Sequence, residues 1–153
     1  MSLAFEKLLG PPTGLRDQSA IETVEPGRNV AVVFTSVDAT LSALRRAGSI
    51  ASGLNASIIL IVPQVVPYPL PLAGSPVLRD FNDRRFRVIA GESPVETRVC
   101  IYLCRDRLEM LKTVLNTRSI VVVGARRVWW PTPESRMAAT LRRAGHAVIF
   151  AEP

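Results

Sequence analysis

Two patterns of apolar positions alternate along the chain from residue 29 onward. The first is a short, nearly continuous apolar run, as in "NVAVVFT" and "SIILIVPQVV". Runs of this length are typical of strands that are covered on both faces of a sheet. They predict five strands, at residues 29–35, 57–66, 97–104, 119–125 and 146–152.

The second pattern, between these runs, repeats apolar residues every three or four positions, which indicates helices. The first predicted helix carries Leu41, Leu44 and Ala47 at this spacing, with Ser36 or Asp38 placed to cap it. The pair Thr132–Pro133 is a typical start for the last helix. The four predicted helices span residues 38–55, 77–91, 105–116 and 134–145.

Strands that alternate with helices at this spacing form βαβ units, which give a parallel sheet with helices on both faces. Right-handed crossovers then restrict the topology to a few doubly wound orders. We therefore predict an α/β domain over residues 29–153 with a five-stranded parallel sheet. Residues 1–28 are predicted to be an N-terminal extension with one short helix near Leu3–Leu9.

Composition narrows the function classes without choosing among them. The formal charge of +6 permits nucleic acid, phosphate or acidic surfaces as partners, but the arginines are not clustered in one run, which favours a solvated surface. No apolar segment approaches the ~20 residues that span a bilayer, and no signal peptide is visible. The prediction is a cytoplasmic protein without membrane insertion.

Residue types that carry catalysis are sparse. Cys100 and Cys104 are four residues apart in a strand-like run, a spacing that fits no common metal site, so two buried thiols are predicted. The single histidine, His146, begins an apolar strand and lies near no nucleophile motif. We expect no enzyme activity and no metal.

The order of elements resembles that of the universal stress protein family over residues 29–153. The segments that carry the resemblance are "TSVDATLSALRRA", "NASIILIVPQVVPYPLP", "SIVVVGARR" and "AGHAVIFAEP". The resemblance implies strand order 3-2-1-4-5 and a homodimer built partly on the last strand. An apolar edge strand such as "HAVIF" would also suit such pairing physically.

The same resemblance implies where ATP would bind and shows that the site is altered. ATP-binding members carry an aspartate after the first strand and a loop of pattern G-x2-G-x9-G-[ST]. The aspartate position falls on Thr35, and only the first glycine is retained, as Gly124. The second falls on Arg127, and the last two positions fall on Met137 and Ala138. ATP binding is therefore disfavoured, and no cofactor is predicted.

The segment "GARRVWWPTPES" nevertheless lies where a ligand would bind. In doubly wound sheets, ligands bind at the carboxyl ends of the strands where the order reverses. With the implied order, this point lies between the first and fourth strands. The candidate ligand-binding residues are Thr35, Ser36, Val62, Gly124, Arg126, Arg127 and Trp130.

Three interpretations of this segment remain open. The tryptophans could fill the vacated cleft, the arginines could hold an anionic small molecule or nucleotide, or Trp129 and Trp130 could contact a protein partner. Nucleic-acid binding is disfavoured because only one aromatic pair is present. The overall prediction is a non-catalytic stress-response or regulatory protein.

Overall fold

The computed structural model describes residues 6–8, 29–66, 76–115 and 118–153, which form strands and helices in alternation. The strands are β1 (Glu6–Leu8), β2 (Asn29–Val33), β3 (Ser57–Val65), β4 (Thr97–Cys104), β5 (Ile120–Gly124) and β6 (Ala147–Ala151). The helices are α1 (Val37–Leu54), α2 (Pro76–Gly91), α3 (Arg107–Val114) and α4 (Pro133–Arg143). None of the described helices is long and apolar enough to cross a bilayer.

The six strands form one sheet in the order β1-β4-β3-β2-β5-β6. All neighbours from β4 to β6 are parallel. This arrangement confirms the predicted α/β fold with five parallel strands in the order 3-2-1-4-5, where β2 is the first of the five. A parallel sheet needs crossover helices on its faces, which is why strands and helices alternate along the sequence.

β1 is an addition that the sequence pattern did not predict. It pairs antiparallel with β4, where Glu6 lies opposite Leu103 and Leu8 opposite Ile101. The short helix predicted near Leu3–Leu9 is therefore wrong at residues 6–8. The edge of β4 presents unpaired backbone groups, and an added strand satisfies them. The other residues of the predicted extension lie outside the described part, and its boundary at residue 28 stays a prediction.

Each face of the sheet has its own apolar core. Ala31 and Val33 of β2 pack with side chains from α3 and α4, such as Leu111 and Leu141. Val30 and Val32 pack on the opposite face with residues of α1 and α2, including Leu44 and Phe86. Because successive side chains of a strand point to opposite faces, a strand buried on both sides must be apolar at every position.

The helix boundaries follow from local chemistry at both ends. The Ser36 hydroxyl accepts from the Ala39 N–H at the start of α1, which selects Ser36 over Asp38 as the cap. α4 begins with a capping box between Thr132 and Ser135, followed by Pro133 at the first helical position. α3 is shorter than the predicted 105–116 because Asp106 caps it and Leu115 already has extended backbone.

β3 accommodates a proline that would disrupt a central strand. Pro63 lies opposite Tyr102 of β4, whereas the pairing with β2 stops at Ile61. Beyond Ile61, β3 therefore has a hydrogen-bonded neighbour on one side only, and a residue without an N–H is tolerated there. The rest of the proline-rich stretch, residues 67–75, lies outside the described residues.

Candidate functional site

A cleft of about 290 Å³ opens at the carboxyl ends of β2 and β5. It lies where the strand order reverses, because α1 covers one face of the sheet and α4 the other. The β2–α1 junction supplies Thr35, Ser36, Asp38 and Ala39 to the cleft. The other described lining residues lie between Gly124 and Glu134, together with Pro153.

The structure brings together five of the seven predicted site residues, and they are Thr35, Ser36, Gly124, Arg126 and Trp130. The other two lie elsewhere. Val62 is buried in β3 within the core on the α1 side. The Arg127 guanidinium is exposed, with its Nε 3.4 Å from Oε1 of Glu152. The crevice therefore contains one of the two adjacent arginines.

Gly124 has a structural role that the sequence pattern did not reveal. A Cβ atom built at this position would lie 1.9 Å from the carbonyl oxygen of Ala39. The glycine therefore lets the first turn of α1 approach the end of β5. The Thr35 hydroxyl strengthens the same junction by donating to the Gly124 carbonyl oxygen at 2.8 Å. Close packing of backbone explains why a glycine stands here, independently of any phosphate.

Several donors at the cleft that a phosphate would need already serve the protein. The Ala125 N–H donates to the Ala151 carbonyl at 3.0 Å, and the Thr35 N–H donates to the Thr40 hydroxyl at 3.2 Å. At α4, the Ser135 N–H is taken by the Thr132 hydroxyl. Met137 and Ala138, which fall on the glycine and hydroxyl positions of the ATP pattern, are buried inside α4. They cannot contact a ligand in the cleft.

The charged side chains of the cleft carry both signs. Asp38 and Glu134 lie in the first turns of α1 and α4, where the helix dipole favours a carboxylate. Arg126 is the cation among the lining residues. Within the part of the chain that the structure describes, none of these three forms an ion pair. The sequence analysis named Asp38 only as a possible helix cap, and neither Asp38 nor Glu134 was among the predicted site residues.

The two tryptophans point away from the protein core. Trp129 is 95% exposed and Trp130 is 60% exposed, and their ring centroids lie 6.5 Å apart with a tilt of 52°. The interpretation that they fill the cleft is therefore wrong. Gly124 and Ala39, whose backbones approach each other closely, also line the cleft, and of the two tryptophans only Trp130 is among the lining residues.

The other candidate reactive groups lie away from the cleft. Cys100 and Cys104 are buried free thiols, as predicted, and burial raises the pKa of the Cys104 thiol. Burial lowers the pKa of His146, whose Nδ1 accepts from the Ser119 N–H at 3.2 Å. His146 precedes β6, at the end of the sheet opposite the cleft. No group of three or more His, Cys, Asp or Glu side chains within the described ranges could hold a metal ion.

Comparisons with known proteins show which solved structures share this architecture. No family model and no curated protein matches the chain. Among solved structures, a universal stress protein from Archaeoglobus fulgidus is similar, with a TM-score of 0.57, 13% identity, and coverage of 81% of this chain and 93% of that one. A second universal stress protein, solved in complex with cAMP, covers 82% of this chain and 96% of its own at 20% identity and a TM-score of 0.46. The chain has a universal-stress-protein-like fold.

Proposed function

We propose that the protein is a non-catalytic regulatory module of universal stress type whose cleft binds a small molecule without the phosphate contacts that ATP requires. The observation that carries this proposal is the cleft itself. It is open at the position where doubly wound sheets bind ligands, yet several backbone donors around it, such as the N–H groups of Thr35 and Ala125, are already hydrogen-bonded within the protein. Fewer donors are therefore left to hold a phosphate in this cleft.

The position of the reactive side chains supports a non-catalytic role. The single histidine of the chain lies at the opposite end of the sheet from the cleft. The Cys104 thiol is buried, and its raised pKa disfavours the thiolate that acts as a nucleophile. A general base or a nucleophile must come within hydrogen-bond reach of the reacting atoms. Neither group meets this condition for a ligand in the cleft.

The chemistry of Thr35 and Arg127 supports the proposal that ATP does not bind in the standard way. Thr35 stands where the ATP-binding pattern has an acid, and its hydroxyl is committed to Gly124. Arg127 replaces a glycine that would let backbone approach a phosphate closely. A purely anionic ligand, which Arg126 and Arg127 together suggested, would meet Asp38 and Glu134 with only one arginine in the cleft.

A thermal-shift and calorimetric titration tests this function. We expect ATP with Mg²⁺ to cause no saturable change, whereas a panel of small metabolites that lack phosphate contains a compound that raises Tm. That response should disappear in Ala125→Phe, which fills the cleft, and persist in Arg127→Ala, which is outside it. Saturable ATP binding that is lost in Ala125→Phe would contradict the proposal. A panel with no response at all would contradict it as well.

A second candidate function is favoured by one observation, the 95% exposure of Trp129. Exposed tryptophans are frequent anchors of protein interfaces. A photo-reactive side chain at position 129 should then cross-link a defined partner, whereas the same group at Val88, a 70% exposed residue of α2, should not. Stacking of a nucleic acid is less well supported, because two rings tilted by 52° cannot both lie parallel to successive bases.

We also propose that the protein forms a homodimer through the edge of β6. This strand ends the sheet on one side, and its Phe150 side chain is 37% exposed. An edge with unpaired backbone groups is a natural surface for pairing with a second copy. The other edge of the sheet is formed by β1, which has only three residues.

A further inference from the structure

We propose that the cleft selects a small zwitterion, an amino acid with a flat or cationic side chain, over any nucleotide. This inference rests on the proposed function, because it names the ligand class of the same cleft. The observation behind it is the set of groups that the fold places there. Two carboxylates, one guanidinium and one exposed indole line a single cavity.

The charges of the cleft suit a ligand that carries both signs. Arg126 offers the bidentate donors that match a carboxylate. Asp38 and Glu134 offer acceptors for an ammonium group. None of the three has an ion-pair partner among the described residues. The carboxylates sit in the first turns of two helices.

Trp130 adds a face for the ligand's side chain. Its indole is 60% exposed and shares the cleft wall with the apolar Val128 and Pro153. A planar cation over an indole ring gains electrostatic attraction in addition to the buried apolar area. The ligand class is therefore a zwitterion whose side chain is aromatic or a guanidinium group.

The same features disfavour a phosphate-bearing ligand. A phosphate would approach Asp38 and Glu134 with like charge, and the amides of Thr35, Ala39 and Ala125 are already bonded within the protein. The volume of about 290 Å³ lies at the lower limit of ordinary ligand sites, which run from about 300 to 1,000 Å³.

The test uses one indole as the reporter. The chain has two tryptophans, so Trp129→Phe leaves Trp130 as the only one. In this background, L-arginine, agmatine and AMP are titrated while the emission of Trp130 is followed. Agmatine has the guanidinium and amine of arginine but no carboxylate. We expect a saturable change with L-arginine, a weaker one with agmatine and none with AMP.

Variants that each remove one charge then test separately the residues that bind the carboxylate and the residues that bind the ammonium group. Arg126→Gln should weaken L-arginine binding about tenfold and leave agmatine binding unchanged, because only L-arginine has a carboxylate that Arg126 can bind. Glu134→Gln and Asp38→Asn should each weaken both compounds. Arg127→Gln is the matched control, since that side chain lies outside the cleft and contacts Glu152, and it should change neither.

The outcomes distinguish this inference from the proposed function. Binding of AMP without binding of L-arginine overturns both the zwitterion and the proposed function, because AMP carries a phosphate. If L-arginine fails but a phosphate-free compound of the metabolite panel binds and is lost in Ala125→Phe, only the zwitterion is overturned and the proposed function stands. If no compound binds at all, both proposals fall. Equal loss of L-arginine affinity in Arg126→Gln and Arg127→Gln also overturns the inference.

Discussion

At the scale of single residues, Gly124 lies in the cleft as predicted, but its packing gives a different reason for the glycine. The family resemblance matched it to the first glycine of a phosphate-binding loop. The structure gives it a different role, because the backbone of Ala39 occupies the space where a Cβ would be. The Thr35 hydroxyl bonds to its carbonyl oxygen and thus holds the end of β2 against the end of β5.

Gly124→Ala should therefore destabilise the protein. A methyl group 1.9 Å from a carbonyl oxygen forces the start of α1 away from β5, and overpacking of this kind costs about 1–3 kcal/mol or more. Urea unfolding measures the change. Gly53→Ala is the matched control, because no atom lies within 4 Å of its added Cβ and alanine favours a helix by roughly 0.5–1 kcal/mol. Equal stability of the two variants would refute the role given to Gly124.

At the scale of elements, the two edges of the sheet differ in a way that the alternating pattern does not show. β1, a strand of three residues that pairs antiparallel with β4, forms one edge, whereas β6, a parallel strand of five residues, forms the other. Phe150 lies on β6 with the Arg142 guanidinium 5.3 Å from its ring centroid. The edge of β6 is therefore apolar and only partly covered by its own chain.

Phe150→Lys should dissociate the proposed homodimer. A lysine on an edge strand opposes pairing with a second strand, and here it would also meet Arg142. Light scattering should then give the 16.7 kDa monomer instead of twice that mass. Val88→Lys makes the same kind of change on exposed α2 and should leave the dimer intact. A wild-type protein that is monomeric at every concentration would show that the dimer proposal is wrong.

At the scale of the whole molecule, the reversal of strand order creates the cleft at one end of the sheet and leaves His146 at the other. His146 is buried, and its Nδ1 accepts the Ser119 N–H only while the ring is neutral. His146 thus contributes to the stability of the fold, and its protonation lowers the free energy of unfolding of the whole domain.

Stability should fall as the pH is lowered through the range of histidine titration. Burial lowers the folded-state pKa of His146 below its ordinary value of 6.5, so the unfolded chain binds this proton first and is favoured as the pH drops below about 6.5. The free energy of unfolding, measured in urea at pH 7.5, 6.5 and 5.5, should decline more steeply in the wild type than in His146→Gln. Parallel declines would contradict this assignment.

The sequence by itself determined the element types, because periods of 3.6 and continuous apolar runs follow directly from helix geometry and from burial on two faces. The caps at Ser36 and Thr132 are local, since each bonds to residues three positions away. The sequence therefore predicted the five strands, the four helices and, through the family resemblance, their order.

Only the tertiary structure decided which side chains face the cleft. Arg126 and Arg127 are adjacent in sequence, yet one lines the cleft and the other meets Glu152 beyond β6. The sequence pattern also did not predict β1 or decide the exposure of Trp129, because each depends on surfaces that distant segments contribute. Local periodicity specifies the direction of a side chain relative to its own element, and the position of its neighbours is set when the sheet assembles.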